Sequence, residues 1–335
     1  MFDLKKIILL LSFLSTLSVF ASETTLIWKI SSKSTIKVHL LSDDISSEDL
    51  SSLRSIFNDI LKVVPVKYYP EDLVVKLRKR DFMVGYKDGI IMIPIQYDTG
   101  ELNLPDSKYT KTIIAHEFAH AIFDEIMKKN IPEYNEMISR RKSRLRAKVK
   151  IDELHEQMIA LENNSIENEV SIQILKDEFD KLYEQYRLSI KNITTREKEV
   201  FRLREPLNEL FADMIAVIWS KDGKAVADSI QNLQMGSEED VYQRDFTMGQ
   251  DDELLNITNQ YQIYAPFRDL IWRQLSEVVY QEKATKTFIQ KSIRIFINRY
   301  QQFLSEGSKI IDSQSMIIEN EQLHQEFLKI KQTQF

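Results

Sequence analysis

Two histidines and a glutamate, His116, Glu117 and His120, are the residues of this chain whose types and spacing suit chemistry best. Residues four apart lie on the same face of a helix, so the two imidazoles can hold one metal ion. Glu117 lies one step around the axis and faces the open side of that ion. The sequence KTIIAHEFAHAIFDE predicts a single helix from Lys111 to Glu125. The pattern therefore predicts the zinc centre of a hydrolase.

A third protein ligand is required, and a chain without cysteine must supply a Glu or a His. Glu209 and Asp213 lie four residues apart on a second predicted helix, which is entered through Pro206 and carries the sequence NELFAD. Apolar residues nearly all around this helix predict that it is buried, and buried carboxylates need a partner. Glu209 suits the third ligand. Asp213 suits a position behind the metal, where a carboxylate accepts the spare N–H of a ligating imidazole.

HEFAH followed by NELFAD resembles the gluzincin group of zinc metallopeptidases, which have a thermolysin-like active site. The resemblance covers these two helices. It implies that His116, His120 and Glu209 bind Zn²⁺. It also implies that Glu117 is the general base and that Asp213 orients a histidine.

The same resemblance implies a Tyr or His that donates a hydrogen bond to the oxyanion. We favour Tyr264 or Arg268 for this role, because the stretch QYQIYAPFRDLIW predicts a helix that opens after Pro266. The alternative is that both side chains only pack between helices or face solvent. The preceding segment, from Gly236 to Glu253, is acidic and loop-like, and we expect it to cover the cleft.

The N-terminal part, residues 22–110, has a mixed α and β pattern. Alternation and helical spacing predict strands at Thr35–Leu40 and Leu73–Leu77 with a helix at Ser47–Val63 between them. Asp81–Tyr86 and Ile90–Ile95 flank Lys-Asp-Gly, which is typical of a hairpin. The last of these strands either offers its edge to an extended peptide or is an ordinary covered edge.

Residues 134–204 follow the active-site helix, residues 111–133, and precede the helical part at 205–335. Apolar residues in alternate steps of three and four amid dense charge predict an inserted antiparallel helical hairpin with its tip at Glu162–Ser165. A basic cluster runs from Arg140 to Lys150 on its first helix. It either pairs with acids of the second helix, or it binds an acidic partner or an anionic surface. Those acids are Asp177, Glu178 and Asp180.

The N-terminus predicts a signal peptide over residues 1–21, since Lys5 and Lys6 precede a short apolar run that ends in small residues. An uncleaved anchor is the alternative. An exported chain without cysteine suits a bacterial periplasm or exterior. The formal net charge of −6 argues against nucleic acid as an obligatory partner.

Together these features predict a mostly helical α+β fold. We expect a zincin-like metallopeptidase with a small N-terminal sheet, a helical catalytic part and the inserted hairpin. The expected function is an exported zinc metallopeptidase that cleaves a peptide or protein substrate with a zinc-bound water activated by Glu117. Two alternatives stay open: a zinc-containing scaffold that acts through its arm, and a hydrolase of cell-wall peptides.

Overall fold

The computed structural model describes residues 24–31, 34–40, 45–78, 84–87, 89–94, 96–97, 100–101, 107–162, 169–249, 258–307 and 312–332. The predicted signal peptide lies outside them. The chain divides into two compact units. The first comprises Met1–Ile126, Pro206–Asn298 and Lys309–Phe335, and the second comprises Met127–Glu205 and Arg299–Ser308. The N-terminal part, most of the active-site helix and most of the C-terminal part thus belong to one unit.

A five-stranded mixed sheet forms the N-terminal part, in the order β1-β2-β3-β5-β4. Its strands are β1 (Thr24–Lys29), β2 (Thr35–Leu40), β3 (Asp72–Arg78), β4 (Gly85–Lys87) and β5 (Ile90–Pro94). Strand β2 is parallel to β3 and β3 is parallel to β5, whereas the two outer pairs are antiparallel. Two further short strands, β6 (Gln96–Tyr97) and β7 (Gly100–Glu101), pair with each other. The predicted strands Thr35–Leu40, Leu73–Leu77 and Ile90–Ile95 are confirmed as far as they are described, since Ile95 lies outside the described residues. Of the predicted strand Asp81–Tyr86, residues 81–83 lie outside the described part, and Gly85 and Tyr86 belong to β4. Strands β1, β6 and β7 are additions to the prediction.

The structure decides between the two alternatives for the edge of the sheet next to the active-site helix. Strand β5 lies inside the sheet, hydrogen-bonded to β3 on one side and to β4 on the other. The hairpin partner β4 is the edge strand, and it is only three residues long. Of the two alternatives for Ile90–Ile95, the covered edge is the one observed, because β4 folds back and pairs with β5.

Helix α1 (Ser47–Val63) matches its predicted bounds. The Asp49 N–H donates to the side chain of Ser46 at 3.0 Å, which caps the helix start. Phe57 on its buried face is in edge-on contact with Trp28 of β1 and stacks on Phe118 at a centroid distance of 4.2 Å. A short 3₁₀ turn at Val66–Tyr68 follows the helix. This aromatic chain fixes the active-site helix relative to the sheet.

Helix α2 (Lys108–Asn130) carries the HEFAH motif and is longer than predicted at both ends. The N–H of Thr110 donates to the hydroxyl of Ser107 at 3.1 Å, which caps the start. The helix is buried on every side: between Thr112 and Met127 only Glu117 is not buried. A helix that is apolar all round belongs in a core, so its polar residues need specific partners.

The second unit contains the predicted helical hairpin. Helix α3 (Pro132–Glu162) and helix α4 (Glu169–Lys191) pack against each other along their length. His155 of α3 faces Phe179 of α4 at a ring-centroid distance of 6.0 Å, which shows that the pair is antiparallel. The residues at the tip, 163–168, lie outside the described part of the chain.

The chain after α4 corrects two predictions. A second break occurs at Asn192–Thr194, where the N–H of Glu197 donates to the hydroxyl of Thr194 at 3.0 Å and starts a new helix. That helix, α5 (Thr195–Ser220), continues through Pro206 instead of beginning there. Apolar residues on both sides of Pro206 are buried, among them Val200, Leu203 and Leu207, and their burial outweighs the hydrogen bond that proline removes.

The rest of the chain is helical, as predicted, with helices α6 (Ala225–Asn232), α7 (Glu238–Gln243), α8 (Ala265–Leu275), α9 (Glu282–Glu306) and α10 (Ser313–Gln332). The segment predicted to be a loop contains α7, which Ser237 and Asp240 start with a reciprocal capping box. Within the described ranges, no helix combines the length and apolar character that crossing a membrane requires.

Candidate metal centre

His116 and His120 lie one turn apart on α2, and both are buried. Their Nε2 atoms are 2.9 Å from each other, so the two rings aim at a common point. The rings are nearly perpendicular, at 85°. The i, i+4 spacing thus produces the convergence that the sequence predicts.

Glu209 of α5 completes a group of three potential ligands, whose donor atoms all lie within 4.8 Å of one another. Its Oε2 lies 3.5 Å from Nε2 of His116, and its Oε1 lies 3.8 Å from Nε2 of His120. Glu209 is buried, and among the described residues its Oε2 accepts no hydrogen bond. A buried carboxylate oxygen without a donor is costly unless a cation binds there.

These distances test the fit of a metal ion. Tetrahedral coordination with bonds of about 2.0–2.1 Å separates neighbouring donor atoms by about 3.3 Å. The two Nε2 atoms are 2.9 Å apart, and each faces a different oxygen of Glu209, at 3.5 Å for His116 and 3.8 Å for His120, so the separations lie close to that value. The buried His-His-Glu group can therefore hold a metal ion.

Asp213 lies one turn after Glu209, behind His116. Its Oδ1 is 3.0 Å from Nδ1 of His116. A carboxylate at this atom accepts the Nδ1–H and leaves the Nε2 lone pair directed at the metal position. No such partner exists for His120 within the described residues, where its buried Nδ1 makes no hydrogen bond.

Arg268, which the sequence analysis favours as an oxyanion donor, instead contacts Asp213 and the backbone of Tyr261. It is fully buried, and its Nη2 and Nε donate to Oδ2 of Asp213 at 2.7 and 3.0 Å. Its Nη1 donates to the backbone carbonyl of Tyr261 at 2.8 Å. The guanidinium is therefore a counter-ion of Asp213 and a brace for the Tyr261 backbone.

Tyr264, the other favoured donor, is buried at the start of α8. Its hydroxyl lies 3.4 Å from a carboxylate oxygen of Glu319 on α10. This contact is with α10 and not with the His-His-Glu group. The neighbouring Tyr261 is closer to the site: burial raises the pKa of its phenol, and the charge of Glu209 raises it further.

Arg244, directly after α7, is a site residue that the sequence analysis missed. Its Nη2 lies 3.0 and 3.1 Å from the two ring nitrogens of His116 and 3.8 Å from Oε2 of Glu209. Its Nε donates to Asp213 at 3.0 Å, and its guanidinium lies 4.7 Å from the ring centroid of Tyr261. The only available sequence signal was one arginine within an acidic segment.

The electrostatics follow from these contacts. Burial raises the pKa of Glu209, but the charges of His120 and His116 outweigh burial and lower it to about 2. Burial and Arg244 lower the pKa of His116, whereas Asp213 and Glu209 outweigh them and raise it to about 9. Burial opposes ionisation of Asp213, yet Arg244 and Arg268 hold its pKa far below the usual range. The two carboxylates therefore stay ionised.

Tyr86 of the edge strand β4 is the second residue that the sequence analysis missed. Its backbone N–H donates to Oε2 of Glu117 at 2.6 Å. Its ring lies over His120 at 6.1 Å with an interplanar angle of 24°, and its hydroxyl donates to the buried Asp124. One strand residue thus contacts the motif glutamate, a ligand histidine and a carboxylate one turn further along the helix.

The fold and the site together define a mostly helical α+β protein with a buried group able to hold a metal ion. Comparison of the chain with protein-family models, with curated proteins and with solved structures finds no match.

Proposed function

We propose that the protein is a zinc-dependent metallopeptidase with a gluzincin-type site. The observation that carries this proposal is Glu117, the one residue of the buried stretch of α2 that is not buried, next to two buried histidines. A structural metal site has no use for a partly exposed carboxylate at this position. A catalytic site needs one as a general base.

The donor set favours zinc. Two imidazoles and one carboxylate are a common ligand set of catalytic zinc, which keeps its fourth position open. Among the described residues, three protein groups converge here, rather than the four of a structural zinc site. When bound, zinc supplies a Lewis acid that polarises a carbonyl and promotes attack by water at neutral pH.

The residues of the chain supply the remaining functions. Glu117 takes a proton from water and passes it to the leaving amine, and the Tyr86 amide keeps its carboxylate in place. Asp213 fixes the ring of His116. Arg244, whose Nη2 lies 3.8 Å from Oε2 of Glu209, and Tyr261, whose ring lies 4.7 Å from the Arg244 guanidinium, suit stabilisation of a developing oxyanion better than Tyr264 or Arg268.

Terminus mapping tests this function. A denatured proteome is incubated with the chain from Ser22 onward, with and without chelator, and new peptide termini are identified. We expect one zinc per chain and cleavage that the chelator abolishes. The proposal would be overturned if the chain contained no metal after purification from zinc-replete medium. It would also be overturned if cleavage continued unchanged in the presence of chelator.

Single substitutions test the proposed roles of Glu117 and Glu209. Glu117→Gln should keep its zinc and its fold and lose at least about 10²-fold in turnover, the scale of general-base catalysis. Glu321→Gln, the same substitution at an exposed position of α10, is the matched control and should leave turnover unchanged. Glu209→Ala should lose zinc, and retention of full zinc affinity would remove Glu209 from the ligand set.

A further inference from the structure

The hairpin of α3 and α4 covers its apolar residues on one side only. Along α4, every residue from Ser171 to Lys191 is exposed or half-buried, and α3 has no buried residue between His155 and Leu161. The apolar seam of α4 recurs in steps of three and four, which is the repeat of packed helices. Its members are only half-buried: Ile172, Leu175, Phe179, Leu182 and Tyr186.

Beside this seam, two large apolar side chains of α4 are exposed to about half of their surface. Tyr183 and Ile190 lie seven residues apart on one face of α4, and they are 49% and 44% exposed. Two helices alone cannot enclose such side chains, whereas four packed helices can. The hairpin therefore has the form of half a four-helix bundle.

Charge is distributed unevenly along the arm. We call the exposed cations Arg146, Lys148 and Lys150 of α3 the basic root. The acidic tip comprises exposed acids further along α3 and the exposed acids of α4 that lie opposite them. Two lysines of α4, Lys176 and Lys181, lie among the α4 acids. The acids of the acidic tip are Asp152, Glu153, Glu156, Asp177, Glu178 and Asp180. The contact of His155 with Phe179 places both groups of acids at the same level.

These charges are not neutralised within the hairpin. Nearer the base of α3, Arg140 pairs with Glu136 and Arg144 pairs with Glu197. By contrast, none of the basic root has an ion pair or hydrogen bond among the described residues, and the same holds for Glu178 and Asp180. The prediction that the basic cluster pairs with acids of the second helix is confirmed for Arg144, because Glu197 lies within the predicted hairpin. It does not hold for the basic root, because the antiparallel register puts Asp177, Glu178 and Asp180 further out along the arm.

We propose that the hairpin docks against the hairpin of a second copy of this chain, with the two arms antiparallel. Two-fold symmetry places residue i against j and j against i. In the antiparallel arrangement, each basic root contacts the acidic tip of the other copy. The exposed faces of α4 then pack in the interior of a four-helix bundle. A parallel pair would bring like charges together.

A second copy fits this surface better than an anionic polymer or membrane does. The acidic tip lies roughly 9 Å beyond the basic root, given the rise of a helix, and would repel phosphates or acidic sugars that approach the arm. An identical arm satisfies both charges at once. This inference is independent of the proposed catalytic function.

Charge-reversal variants test the proposed dimer. Sedimentation equilibrium measures the self-association of the full chain from Ser22. In the root variant the basic root becomes acidic: Arg146→Glu, Lys148→Glu and Lys150→Glu. In the tip variant three acids become basic: Glu153→Lys, Glu156→Lys and Glu178→Lys. We expect wild type to dimerise, and each variant to weaken dimerisation by about 100-fold or more, as like charges then face each other. An equimolar mixture of the two variants should form heterodimers as tightly as wild type.

Recovery on mixing shows that both variants fold, so weak self-association cannot be ascribed to unfolding. A control variant reverses three exposed cations outside the hairpin and should dimerise normally: Lys224→Glu, Lys283→Glu and Arg294→Glu. A wild-type monomer at all concentrations would overturn the proposal, as would a dimer unaffected by either variant. Binding of the monomer to anionic vesicles that only the root variant abolishes would assign the arm to a membrane instead.

Discussion

Replacement of Asp213 should be far more destructive than loss of a hydrogen bond behind a ligand. Asp213 has no exposed surface, and it carries the charge that compensates two buried guanidinium groups, those of Arg244 and Arg268. Removing one partner of a buried ion pair costs about 3–5 kcal/mol, because the other charge stays buried. Against a typical stability of about 5–15 kcal/mol, Asp213→Asn should remove a large share of the free energy of unfolding of the metal-free protein.

A double-mutant cycle separates charge compensation from packing. Arg268→Met alone leaves Asp213 with Arg244 and His116, so we expect a loss of about 1.5–3 kcal/mol, the range for hydrogen bonds to charged groups. The double variant lacks both the carboxylate and one of the stranded cations. It should be no less stable than Asp213→Asn, which gives a favourable coupling of about 1.5 kcal/mol or more.

Urea unfolding in the presence of chelator measures the four free energies without a contribution from bound metal. Glu184→Gln, which breaks an exposed pair with Arg187, is the control and should leave the free energy of unfolding essentially unchanged. If the two single effects simply add to within about 0.5 kcal/mol, Asp213 is not the shared counter-ion that the contacts indicate.

Three further predictions follow from contacts elsewhere in the protein. Tyr86→Phe removes the donor to the buried Asp124 but keeps the backbone contact with Glu117, so thermal unfolding should show a loss of about 1–3 kcal/mol with zinc retained; unchanged stability would contradict this. In the metal-free protein the pKa of His116 is raised to about 9, so this histidine must lose a proton when zinc binds. Zinc affinity should therefore fall about tenfold for each pH unit below about 9. Competition titrations at two pH values measure this slope, and an affinity that does not change with pH would refute the prediction. Replacing residues 156–178 by a short Gly/Ser linker, which the 6.0 Å between the rings of His155 and Phe179 permits, should leave zinc content unchanged, whereas loss of zinc would make the arm a support of the site.

Local patterns were enough to predict the ligands and most elements. The i, i+4 spacing of His116 and His120 fixes their common face whatever surrounds the helix, and an apolar helix with Glu209 on it has to bring that carboxylate to a partner. The strands of the sheet and α1 follow from alternation and helical periodicity in the same way. Such signals lie within a few residues of each other along the chain.

The missed residues depend on contacts between distant segments. Arg244 reaches His116 across 128 positions, and Tyr86 reaches Glu117 across 31. No local pattern marks either residue. Arg268 was predicted as an oxyanion donor, whereas its guanidinium contacts Asp213 and the Tyr261 backbone, and the sequence does not show that Asp213 has a second cation. For Pro206, a local signal for a helix start was overridden by the burial of apolar residues that precede it, such as Val200 and Leu203.

The three-residue strand β4 also affects how the folded protein behaves towards other copies of itself at high concentration. In its antiparallel pairing with β5, Gly85 and Lys87 alternate with Tyr86, so the backbone groups of Tyr86 point away from the sheet. The outward N–H is already bound to the carboxylate of Glu117. Exposed sheet edges with vacant donors act as templates for fibrils, and short edges with occupied donors do not. The contact between Tyr86 and Glu117 therefore also protects this side of the sheet against aggregation.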